Sequence, residues 1–284
     1  MDIEPQGIVP PDIDAGVGSD PVIRDIEKML ADGALEDAIA AIDAAAKAGR
    51  GIASDLTFLK GDALLGMGMA REAEQEFRSV LRSDPDCPSS RCWLAMSLFL
   101  QWRFEEAEEA VREARALPDG IAEADVVAGC LLERRGHLET ADGLFERAAT
   151  AVPDKYVIPT RVTRDEFDQQ VQRAVHALPR QFRKSLARVA VIVEELPSID
   201  LVEAGGRGDV SPDMLGLFDG VPLSETDEFE GAMTPNRIYL FQRNLERMSA
   251  TRAELEEQVR VTLYHELGHY LGFEEEDMDG LGLA

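Results

Sequence analysis

Three stretches of the chain, EAEQEFRSVL, EAEEAVREAR and TADGLFERAA, align without gaps at one fixed offset. Ala73, Ala107 and Ala141 stand 34 residues apart, and Phe77, Val111 and Phe145 repeat at the same interval. Each stretch runs into a proline, as DPD around Pro85, LPD around Pro118 and VPD around Pro153. Proline has no N–H to give and its ring clashes with the preceding turn, so it stops a helix. Upstream, FLKGDALLGMG, CWLAMSLFLQW and VVAGCLLERRG put Gly61, Ala95 and Gly129 in equivalent places. One period therefore holds two helices, with a small residue where they approach each other. A unit this short cannot bury its apolar face alone, so the units must stack into an array. Residues 35–48, LEDAIAAIDAAAKA, read as the second helix of a degraded first unit.

This pattern resembles the tetratricopeptide repeat, and the resemblance extends over residues 22–154. It implies an all-helical array whose groove receives a peptide or partner protein; the other use of such an array is to pack on its neighbour or on a second copy. The sequence names no partner. His137, after Gly136, falls in an inter-helix turn and reads as a surface residue. Cys87, Cys92 and Cys130 are odd in number, lack CxxC spacing and lie in helical segments. They read as small core residues, not as ligands or redox groups.

Charge narrows the partners further. The net charge is −26; 31 acidic against 15 basic residues precede Lys155, and 24 against 14 follow from it. The excess is general and argues against nucleic acid, whose phosphates are met by clustered Lys and Arg. Its simplest effect is solubility through self-repulsion. No apolar run approaches the roughly 18 residues that a membrane span needs. Residues 1–21 are acidic and proline-bearing, without a basic n-region or apolar h-region. They read as a flexible tail, not a signal peptide, and the expected location is cytoplasmic.

The remaining residues, 155–284, change character. RDEFDQQVQRAVHALP spaces Phe167, Val171, Val175 and Leu178 as an amphipathic helix, with His176 expected beside the stripe and partly buried. VAVIVEELP, from Val189, reads as a buried strand ended by proline. The turn-rich residues 201–233 read as a long loop with short strands, and Arg237–Phe241 as a strand alternating polar and apolar. Thr251 and Glu254 form a capping-box signature, followed by an apolar stripe of Leu255, Val259, Leu263 and Leu267.

On that last helix lies YHELGHYLGFEEED. His265 and His269 fall about 40° apart around the axis and roughly 6 Å along it, so both imidazoles can reach one ion. Glu266, turned by about 100°, stands beside them as a base. Two ligands one turn apart with an adjacent carboxylate are the physical content of HExxH. Gly272 ends the helix, and Glu275 beyond it is the expected third ligand, with Glu276 and Asp277 as alternatives. Two imidazoles and a carboxylate with one position open are a catalytic zinc shell. The spacing HExxHxxGxxE puts Glu275 where metzincins carry a histidine. Only seven residues follow Asp277, too few for the methionine turn of that subclass.

From about residue 160 to the end, the chain resembles the small bacterial zincin-like metallopeptidase domain. The pieces that carry the resemblance are RDEFDQQVQRAVHALP, VAVIVEELP, LGLFDGVPL, PNRIYLFQRNLE and VTLYHELGHYLGFEEEDM, in that order. It implies a compact α/β domain with a short sheet and the zinc helix near the C-terminus. The family's usual third ligand is Asp, where this chain has Glu275, and its peptidase activity is mainly inferred from the motif. The expected chain is thus a helical repeat array followed by a small zincin-like α/β domain. Its expected work is hydrolysis of a peptide bond by zinc-activated water, with Glu266 as base and the repeats recruiting a protein substrate or partner. The alternative is a binding scaffold whose zincin domain is weakly active or inactive. Tyr264, Tyr270 and Arg237 are candidate oxyanion donors, and RIYLF is either a strand that pairs with a peptide or an inner strand of the sheet.

Overall fold

The computed structural model describes residues 20–117, 122–201, 210–223 and 235–273. The chain divides into two compact units, one ending at Tyr156 and the other beginning at Val157.

The first unit is a succession of helix pairs. They are α1 (Pro21–Ala31) with α2 (Leu35–Lys47), α3 (Ala53–Gly66) with α4 (Ala70–Ser83), α5 (Pro88–Leu100) with α6 (Phe104–Ala116), and α7 (Ala122–Arg134) with α8 (Leu138–Ala151). The repeat thus reaches back to α1, the first helix of the degraded unit. The small residues are explained by the rings opposite them. A Cβ on Gly61 would lie 2.7 Å from the Phe77 ring, and one on Gly129 would lie 2.5 Å from the Phe145 ring. In the middle repeat the equivalent pair is Ala95 and Val111, with a methyl gained on one side and a ring lost on the other. The small residue and the side chain opposite it change together, as close packing favours.

The turns between paired helices repeat as well. Gly68 and Gly136 adopt left-handed φ values of 73° and 76°, and the position between them in the series is Trp102, at φ 63°. A non-glycine residue is strained there. The Trp102 ring is held against Phe104, with the Arg134 guanidinium 4.9 Å above it. These contacts offset the backbone cost at the one repeat that lacks the glycine.

The second unit opens with α9 (Arg164–Ala177), capped by Thr163, whose hydroxyl accepts from the Glu166 N–H while Glu166 accepts from the Thr163 N–H. It continues through α10 (Arg180–Leu186), β1 (Ala190–Glu194), β2 (Gly216–Asp219), β3 (Arg237–Phe241), α11 (Gln242–Arg247) and α12 (Arg252–Leu271). The sheet order is β1-β3-β2, with β1 parallel and β2 antiparallel to β3. A core of Phe167, Val171, Leu178, Ile238, Leu240 and the α12 stripe joins the helices to the sheet.

Three sequence expectations change here. VAVIVEELP supplies β1, but among the described residues β1 is an edge strand, and in it only Val193 is buried. A β-branched run reports fit to a pleated surface and does not separate centre from edge. RIYLF is the central strand; Ile238 to Phe241 are all buried and do not alternate, because elements cover both of its faces. His176 is exposed, its Nδ1 2.6 Å from the Gln172 carbonyl oxygen. The apolar stripe passes it by, with Val175 packed on the core and Leu178 fully buried on either side.

Glu246 ties the start of this unit to α11. Its fully buried carboxylate accepts from Arg161, Arg243, Gln242 and the Val162 N–H at 2.8–3.1 Å. Four donors, two of them cationic, are what a carboxylate needs to be kept inside.

Candidate metal centre

α12 is built to hold one face rigid. Leu255, Val259, Leu263 and Leu267 are fully buried. At the entry, Thr251 Oγ1 accepts from the Glu254 N–H at 3.2 Å. The return bond of the expected capping box is shifted by one residue: Glu254 accepts from the Ala250 N–H at 2.7 Å. At the exit, Gly272 takes φ 79°, its N–H reaches the His269 carbonyl, and the Phe273 N–H reaches the Gly268 carbonyl. That is a Schellman end, and its left-handed residue is the reason for glycine. The chain leaves the helix one residue row beyond His269.

On this frame His265 and His269 are both half-buried, with ring centroids 4.6 Å apart and planes nearly perpendicular. Their Nε2 atoms converge to 3.0 Å. Zinc–imidazole bonds are about 2.0–2.1 Å, so two nitrogens bound to one ion must lie within about 4 Å of each other. The pair meets that requirement, and its donor chemistry suits a borderline-soft divalent cation. Glu275, Glu276 and Asp277, the sequence candidates for a third ligand, lie outside the described residues. Among the described residues, no group of three or more His, Cys, Asp or Glu side chains is placed to hold a metal.

Glu266 is 8 % exposed and lies against β2. A Cβ on Gly216 would fall 2.9 Å from both Cγ and Oε1 of Glu266, and 2.6 Å from Cγ2 of Thr262. The first residue of β2 therefore leaves the room that the Glu266 carboxylate occupies. Sequence reasoning missed Gly216, because a glycine in a turn-rich stretch reads as punctuation. The signal was its place at the head of GLFD, a short apolar run. Replacing Gly216 with alanine is expected to displace Glu266 or lift the strand, lowering any hydrolysis about 10-fold with bound zinc unchanged. Steady-state kinetics beside a metal assay checks this, since overpacking typically costs about 1–3 kcal/mol.

The three candidate oxyanion donors are engaged elsewhere. The Tyr264 hydroxyl donates to the Ala174 carbonyl at 3.2 Å, and Tyr270 is buried against Phe218. Arg237 pairs with Asp219 across the β2–β3 ladder at 3.7 Å. RIYLF is flanked by a strand on each side and cannot accept a peptide. Among the described residues β2 pairs only with β3, and Glu266 lies against it at Gly216.

The family model of the zincin-like metallopeptidases matches residues 186–283, and a tetratricopeptide-repeat model matches residues 58–121. The chain therefore carries a zincin-like domain preceded by tetratricopeptide repeats. No curated protein matches it. Among solved structures it is similar to TTC0263, a thermophilic repeat protein of Thermus thermophilus, at 17% identity over 46% of this chain and 73% of that one, with a TM-score of 0.41. MamA aligns at 19% identity over 45% and 74% of the two chains, with a TM-score of 0.37. YrrB, a repeat protein described as having an unusual peptide-binding site, aligns at 18% over 47% and 68%, with a TM-score of 0.38. Among the described residues no helix is long and apolar enough to cross a membrane.

Proposed function

We propose that residues 155–284 form a zinc-dependent peptidase and that the repeats of residues 22–154 recruit its protein substrate or partner. The observation that carries this reading is the 3.0 Å convergence of the His265 and His269 Nε2 atoms beside the Glu266 carboxylate. His265, His269 and Glu275 are the proposed ligands. Zinc, when bound, supplies a Lewis acid for the scissile carbonyl and lowers the pKa of water toward neutrality.

The protein's own groups supply the rest. Glu266, partly withdrawn from water against Gly216, takes the proton of the attacking water and passes it to the leaving amine. The Schellman end fixes where the chain leaves α12. A second reading is supported by the way Tyr264, Tyr270 and Arg237 are all committed to packing or pairing: a metal-stapled binding module with weak or no hydrolysis.

Metal analysis of the purified protein, with cleavage of a mixed peptide library, separates the two. The peptidase reading expects one zinc per chain, cleavage abolished by chelation, and recovery on adding zinc back. Stoichiometric zinc without cleavage of any library member would leave the binding module.

A further inference from the structure

Lys155 and Tyr156 follow the last repeat helix and lie against the first helices of the repeats. The Lys155 ammonium pairs with Glu123 of α7 at 3.2 Å, with about a tenth of either side chain exposed. The same ammonium stands 5.3 Å from the centre of the Tyr156 ring, which packs on the repeat core. Asp62, on α3, is 4 % exposed, and its Oδ1 has no hydrogen-bond partner among the described residues. The charge of Lys155 reaches Asp62, and together with that of Glu123 it reaches the buried Cys92 of α5. One cation therefore serves a place to which three successive repeats contribute α3, α5 and α7.

This is poor construction for a purely structural filling. A buried Lys–Glu pair gives little over apolar packing of the same volume. A carboxyl oxygen left unpaired is costly. Here Asp62 Oδ1 stays without a hydrogen bond while the nearby ammonium pairs with Glu123. It suits a guanidinium better, since a planar fork of five donors can serve two carboxyls at once. The lysine, moreover, is carried by residues outside any helix, which can leave without unwinding the array.

We propose that this inner face is a recognition site for an extended segment of another protein bearing a basic residue followed by an aromatic one, and that Lys155–Tyr156 fills it until displaced. The chain's own dipeptide seated there, with carboxyls on both α3 and α7, is what identifies the occupant. The proposal deepens the recruiting role given to the repeats and rests on that reading. It is independent of the metal centre, so loss of hydrolysis leaves it standing.

The test uses the full chain and a fluorescein-labelled peptide of residues 152–160, VPDKYVIPT, followed by anisotropy. A tethered copy competes at an effective concentration on the order of millimolar. Hence Lys155→Ala/Tyr156→Ala is expected to bind the peptide at least about 10-fold more tightly than the unaltered chain. VPDRYVIPT should bind more tightly than VPDKYVIPT, and adding Glu123→Gln should weaken either by about 10-fold or more, as loss of a charge-paired acceptor does. If the double variant does not melt cooperatively, Lys155→Met, which keeps the aliphatic stem, replaces it. A folded variant that binds no peptide, or binds VPDAAVIPT equally well, overturns the proposal. The recruiting role is tested apart from it: a protein retained equally by Lys155→Ala/Tyr156→Ala with and without Glu123→Gln keeps that role and rejects this site.

Discussion

Glutamine in place of Glu266 is expected to lower peptide hydrolysis roughly 10²–10⁴-fold, the usual worth of a general base, with zinc content unchanged. The two side chains have nearly the same shape, so the space left by Gly216 and Thr262 is filled as before. The amide cannot accept the proton of the attacking water, and only that step is lost. Because Glu266 is not one of the two converging imidazoles, the metal assay and the kinetic assay should part company. A decrease in kcat at constant zinc supports its role as base. Full activity in the variant would remove Glu266 from the mechanism, and joint loss of zinc and activity would make it a ligand or a fold residue.

The second large effect lies in the repeats and concerns pH. Burial pushes the Asp62 carboxyl from 3.8 up to about 7, and Lys155 opposes the rise only in part. The folded state therefore holds this proton more tightly than the unfolded chain. The stability it confers is present below pH 4 and is lost as pH rises through 7. Integrated over that window, the loss approaches about 4 kcal/mol. Asp62→Asn keeps the shape and removes the titration. Urea unfolding at pH 5 and pH 8 should show the variant gaining over the unaltered protein mainly at the higher pH. An equal difference at both values would mean that Asp62 is solvated or paired in solution.

The repeat array was legible because three units state the same chemistry at one spacing. The Gly61–Phe77 and Gly129–Phe145 contacts are visible as a small residue and a ring held in register. The imidazole pair was legible because helical periodicity places positions four apart on one face, and α12 has its caps and stripe in sequence. The strands were less so. β1 and β3 are both five-residue strands with four apolar residues, and which one is central depends on the position of β2, a four-residue strand in a turn-rich stretch. The contact of Gly216 with Glu266 joins distant parts of the chain and leaves no periodic trace. The two tyrosines beside the histidines have the chemistry of donors in sequence and are packing residues in the fold, since side-chain direction on a helix is set by what lies opposite.

The central claim is that one divalent cation joins His265, His269 and a carboxylate beyond Gly272. Crystals of the zinc-loaded protein, recorded on both sides of the zinc absorption edge, test it directly. The expected result is a single anomalous peak about 2.0–2.1 Å from both Nε2 atoms, with a Glu275 oxygen as third neighbour. A peak bound to only one of the two imidazoles, or none between them at saturating zinc, would contradict it.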